Sequence, residues 1–116
     1  YNFASGLAGA RTLLDRTRPP TAIFAATDDL ACGVMREASE RGLTVPGDLS
    51  VCGFDGTPVS QLISPALTTV SQPCREMGCV AVESVVQAIR DPAMRQQQRL
   101  PYQLQLRASS ATPGKS

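Results

Sequence analysis

The chain has 116 residues, 42% of them hydrophobic and 18% charged, with a formal net charge of +1. That length and apolar content support one modest domain with a core, and the near-neutral balance excludes the basic footprint of a nucleic-acid-reading module. No apolar run approaches the ~20 residues that a membrane-spanning helix needs.

The opening YNFASG has neither the basic nor the apolar stretch of a secretory leader, and no initiator Met. A helical pattern starts within five residues, so the chain reads as a cut inside a larger protein. Ser5 is the expected N-cap, followed by a stripe of Leu7, Ala10, Leu13 and Leu14. Pro19 and Pro20 end that helix. TAIFAA, residues 21–26, is a continuous apolar run of strand length, suited to a parallel sheet covered on both faces. A helix is expected from Asp29 to Arg41, with Gly42 in its C′ position. SVCGF, from Ser50, reads as the second strand, and Gly56, Thr57 and Pro58 turn the chain after it. The β-branched LTTVSQ is the third strand. Pro73 then sits at N1 of a long helix running to about Arg90. Leu100, Tyr102, Leu104 and Leu106 alternate with polar residues, the period of an edge or half-exposed strand. The tail 111–116 reads as disordered. Alternating strands and helices predict an α/β fold with a mostly parallel sheet flanked by helices.

Ligands of open α/β sheets bind outside the carboxyl ends of the strands. Three predicted strands end there in polar residues: Thr27-Asp28, Asp55 and Gln72. A hydroxyl, a carboxylate and an amide would share one rim. An ionised Asp55 accepts from ligand hydroxyls, while Gln72 both donates and accepts, which suits adjacent sugar hydroxyls. Each residue also has a structural reading. Asp28 is expected to cap the following helix, Asp55 also suits a turn, and Gln72 also suits a satisfied strand edge.

Enzymatic readings fare poorly. FDGTP echoes the D-x-D-G-T motif of haloacid dehalogenase-type phosphatases, but Gly53 stands where the nucleophilic Asp belongs. A phospho-receiver would use Asp28-Asp29 and Asp55, yet the strand-end Lys is missing, since no Lys precedes Lys115. The chain has no His, and its cysteines at 32, 52, 74 and 79 form no C-x-x-C pair. A zinc site is not expected, nor is any cofactor. The cysteines read as reduced thiols in a cytoplasmic protein.

The run GLTVPGDLSVCGFD, followed by SPALTTVSQP, resembles the C-terminal lobe of LacI/GalR-family transcriptional regulators, and the similarity extends from about Phe3 to Ser110. The resemblance implies the C-terminal half of a two-lobed, periplasmic-binding-protein-like core, a three-layer lobe occupying residues 1–110. It implies a small-molecule effector, often a sugar, held between two lobes. It also implies operator DNA contacts made only through an N-terminal helix-turn-helix that this sequence lacks. The positions matching Asp55 and Gln72 contact ligand in such proteins. The position matching Thr27 is commonly Asn, so this chain replaces an amide with a hydroxyl there. Asp28 matches the Asp of that pair. The resemblance further implies a homodimer. Apolar residues suited to a two-fold contact are Cys32 and Met35 on one stripe of the second helix, with Leu62 and Ile63 in the loop after Asp55. A solute-binding protein of an ABC-type transporter shares the fold and the strand-end Asp, and is the alternative.

Overall fold

A computed structural model describes residues 1–94 and 97–113. These divide into two compact units: Tyr1–Ser71 with the segment from Leu104 onward, and Gln72–Gln103.

The first unit opens with α1 (Phe3–Leu14), and its N-cap is Asn2 rather than Ser5. The Asn2 side chain accepts from the Ser5 amide at 2.9 Å. Both residue types cap well, and the choice falls one turn earlier than the sequence stripe indicates. Then follow β1 (Ala22–Phe24), α2 (Asp28–Glu40), β2 (Ser50–Asp55), the short α3 (Val59–Leu62) and β3 (Thr68–Ser71). The strand order is β1-β2-β3-β4, with β4 (Gln103–Gln105) at the edge. Strands β1, β2 and β3 pair in parallel, with Ile23 opposite Val51, Gly53 opposite Thr69 and Asp55 opposite Ser71. The fold class is α/β, as the alternation of elements predicts.

Side chains alternate across a strand, and here only one face carries the core. Ile23, Val51 and Leu67 are buried together with Ala31, Val34, Met35 and Ala38 of α2 and Ala10 of α1. On β1, Ile23 is buried between exposed neighbours, and Phe24 is 65% exposed. The expectation of a strand covered on both faces is therefore not met at β1, because the continuous apolar run splits between two faces.

The two long helices of this unit meet backbone to backbone. A Cβ at Gly33 would lie 2.6 Å from the Leu7 amide nitrogen, and one at Gly6 would strike the Leu30 main chain. Ion pairs fasten the same seam. Buried Glu37 accepts from Arg11 Nε at 2.7 Å and Arg41 Nε at 2.8 Å, and Arg41 also reaches Asp15. The Arg41 and Arg11 hydrogen bonds hold the Glu37 carboxyl below its ordinary range, against the opposing effect of burial.

The segment after β4 closes the core from the far side of the sheet order. Buried Ser109 donates its hydroxyl to Val51 O at 2.5 Å and accepts from the Thr68 amide at 2.8 Å. Arg107 donates to Leu67 O at 2.7 Å and Ser60 Oγ at 3.0 Å. The Ala111 amide donates to Ser50 Oγ at 3.2 Å, so the expected tail is anchored at its first residue. Residues 114–116 lie outside the described residues.

The second unit is dominated by α4 (Cys74–Arg90), preceded by Pro73 at its N-cap, one position before the expected N1.

Candidate functional site

Parallel pairing puts the carboxyl ends of β1, β2 and β3 along one edge of the sheet. Asp55 is the last residue of β2 and half-buried there. Its φ is +109°, in a region that L-residues avoid, and Gly56 follows at +70°. Such a backbone costs ~1–3 kcal/mol and persists only where its surroundings enforce it. Gly56 has no substitute either, since a Cβ there would lie 2.7 Å from Ser71 Cα.

Thr27 and Asp28 follow β1 at the same edge, and the capping role expected of Asp28 falls to Thr27. Thr27, not Asp28, caps α2: its Oγ1 accepts from the Leu30 amide at 3.2 Å. This bond uses an acceptor lone pair and leaves the hydroxyl proton to a further partner. Asp28 is fully buried in the first turn of α2. Its Oδ2 accepts from the Thr57 amide at 2.6 Å and the Thr57 hydroxyl at 2.9 Å, and its Oδ1 accepts from the Thr69 hydroxyl at 2.5 Å. A buried carboxylate is tolerable only when hydrogen-bonded, and these three donors, with the positive end of the helix, supply that. Gly53 makes the approach possible, since a Cβ there would lie 2.5 Å from Asp28 Oδ1. The participation of Thr57 and Thr69 is absent from the sequence reading. The signal for Thr69 was its period: it shares the face of Gly53, its register partner.

Gln72 comes next in the chain after Ser71, the register partner of Asp55, and is the first residue of the second unit. Within that unit it borders an open groove of about 590 Å³ with Pro73, Cys74 and Cys79.

The residues expected at a dimer contact separate. Met35 is 9% exposed and belongs to the core, against the expectation of a partner-facing stripe. Helix α2 is covered over a wide arc, because α1 packs across it as well as the sheet. What remains of Met35 lines a groove of about 310 Å³ with Leu43, Val45 and Pro65. Cys32 is half-buried, and burial, with nearby Asp29 and Asp28, pushes its thiol pKa up. Ile63 packs on the core, while Leu62 is 82% exposed. Among the described residues no cluster of three or more His, Cys, Asp or Glu is placed to hold a metal, and no helix is long and apolar enough to cross a membrane.

Comparison with known proteins gives a consistent picture. A periplasmic binding protein-like domain model matches residues 2–110. Catabolite control protein A of Priestia megaterium is 37% identical over 111 residues, covering 95% of this chain and 33% of that protein. A LacI family transcriptional regulator from Enterococcus faecium, solved with bound ribose, superposes with a TM-score of 0.81 at 32% identity, over 96% of this chain and 41% of that one. The Lac repressor dimer bound to operator and an anti-inducer superposes with a TM-score of 0.87 at 34% identity, over 96% of this chain and 39% of that one. The chain thus spans about a third of the length of the first curated relative and about two-fifths of these solved ones.

Proposed function

This chain belongs to the periplasmic binding protein-like family, in its LacI/GalR branch, and on that premise we propose that it is the effector-binding and dimerising portion of a DNA-binding transcriptional regulator. The effector is a small polyhydroxylated molecule of the sugar class. Asp55 is its principal anchor, with Gln72 and Thr27 as further polar contacts at the strand ends. The single observation that carries this reading is Asp55 itself. A carboxylate closes the central strand of a parallel sheet, in a costly left-handed backbone conformation, at the edge where such sheets bind ligands. Structural economy alone would put Gly at that position. The relative solved with ribose supports the ligand class.

The mechanism is a coupling of two equilibria. An effector that binds one arrangement of the lobes better than another shifts the population between them and so changes operator affinity; by linkage, operator binding changes effector affinity by the same factor. Operator contacts belong to a part of the protein outside this sequence. The protein works in the cytoplasm as a homodimer without enzymatic activity, as its repressor relatives favour over the transporter alternative. Leu62 is the residue of the predicted contact that faces outward.

The test is a thermal-shift screen of the full-length regulator against sugars and nucleosides. A ligand present at 100 times its Kd stabilises by about 2.7 kcal/mol. Asp55→Ala is expected to erase that shift, read against the variant's own unliganded Tm, which falls somewhat because alanine tolerates positive φ less well than aspartate. A ligand shift that survives Asp55→Ala would show that Asp55 is not the anchor.

A further inference from the structure

Asp55 is held away from ordinary backbone space, and something must hold it. Nothing in its own residue type does so: the aspartate side chain tolerates positive φ better than most but does not prefer it. The restraint comes from what the chain through it is fastened to. Gly53, Phe54 and Asp55 itself are paired with Thr69, Val70 and Ser71. Downstream, Gly56 turns the chain against Ser71, and Thr57 is fastened to a different element. Its partner there is Asp28, which takes both the Thr57 amide, at 2.6 Å, and the Thr57 hydroxyl, at 2.9 Å, on one oxygen. Asp28 is in turn pinned by the Thr69 hydroxyl and wedged over the bare Cα of Gly53. Beyond Thr57 the tether continues, since the Thr57 carbonyl accepts from both the amide and the hydroxyl of Ser60.

We propose that Asp28 is a positioning residue: by clamping Thr57 to the first turn of α2, it forces the Asp55–Gly56 pair into its left-handed conformation and so fixes where the Asp55 carboxylate points. This rests on the reading of Asp55 as the effector anchor. Asp28 itself is buried and touches no effector; its action passes through Thr57. The clamp depends on an acceptor at Oδ2 and not on charge. An asparagine with its amide oxygen facing Thr57 and its nitrogen facing the Thr69 oxygen keeps both Thr57 bonds.

The readout is the three-bond amide-to-Hα coupling of residue 55, measured by NMR on the isotopically labelled chain. It is small at the observed positive φ and large in extended backbone. Asp28→Ala is expected to move it towards the extended value. Asp28→Asn is expected to restore the wild-type value. Thr69→Val, which removes a bond to the same carboxylate but spares Thr57, is expected to leave it unchanged while lowering stability. Should Asp28→Ala fail to fold, Thr57→Val supplies the same test, with a smaller shift in the same direction. An unchanged coupling in folded Asp28→Ala, or in Thr57→Val where Asp28→Ala does not fold, overturns the inference. So does a change in all the variants in proportion to their loss of stability. If the coupling responds as expected while Asp55→Ala leaves the effector shift intact, the clamp stands and the assignment of Asp55 falls.

Discussion

Replacing glycine by alanine is expected to act with opposite sign at two positions of the first unit. Gly9 lies in the interior of α1 with no heavy atom within 4 Å of a Cβ built on it. Alanine there gains helix propensity alone, about 1 kcal/mol. Gly33 lies in the interior of α2, and the same gain applies. Its Cβ, however, would lie 2.6 Å from the Leu7 nitrogen and 2.9 Å from the Gly6 carbonyl carbon, where ordinary contact begins at 3.4 Å. These are backbone atoms of α1 and cannot rotate aside. The Phe3 carbonyl oxygen is closer still, so the helices must separate by more than 0.8 Å (3.4 minus 2.6) at this point, which loosens the packing of Ala10 and Ala31 beside it. Overpacking of this kind costs ~1–3 kcal/mol, and the opened seam loses dispersion contacts besides. After the propensity gain, Gly33→Ala is expected to be destabilised by about 1–2 kcal/mol. The two variants should then differ by about 2–3 kcal/mol, a Tm gap of roughly 10 °C at ~4 °C per kcal/mol. Urea unfolding of both variants, fitted with a common m-value, measures the difference. A Gly33→Ala protein as stable as Gly9→Ala would refute the close backbone approach of α1 and α2.

Acidification is expected to weaken the fold below the ordinary carboxylate range. Glu37 and Asp48 are both held below their usual pKa, by Arg41 and Arg11 in one case and by the hydroxyl and amide of Thr44 in the other. The unfolded chain binds these protons first, so their contribution is intact above about pH 4.3 and is lost as pH falls through the depressed folded values. Glu37→Gln should flatten the acid limb in denaturant titrations across about pH 3–6, the range around ordinary carboxylate values, converging with wild type at the low end; parallel curves would exclude Glu37 as a source. Leu62→Glu should leave the unfolding midpoint within ~0.5 kcal/mol of wild type, as exposed sites do, while lowering the mass of the full-length dimer by light scattering; an unchanged mass removes Leu62 from the two-fold contact. Met35→Glu should instead unfold the chain, because it buries a charge in the core.

The parallel sheet, the order of elements and the carboxylate at the end of β2 were legible because each leaves a local mark: an apolar run, a proline or glycine break, a charge directly after it. Roles set by tertiary contact were not. Thr27 and Asp28 are both good helix caps by type, and their neighbours in sequence do not distinguish them. What separates them is the bare Cα of Gly53, a β2 residue that admits the Asp28 carboxylate to Thr69 across the sheet. Met35 was ambiguous for a related reason. Its stripe suits a partner helix, but Met35 is buried in the core of its own chain and borders Leu43, Val45 and Pro65. The capping role of Asn2 leaves no periodic trace, because the cap lies one turn upstream of the apolar stripe.

The first unit is completed by residues that arrive late. Ser109 closes on Val51 across 58 positions and on Thr68 across 41, and Ala111 meets Ser50 across 61, while the intervening residues 72–103 form a unit of their own. Closing loops of that length costs entropy before any contact repays it, and contacts so distant in sequence slow folding. During synthesis the β2 and β3 edges therefore wait, with the Thr68 amide and Val51 carbonyl unmatched, until the chain beyond residue 104 emerges. That interval is when this sheet is open to a wrong strand.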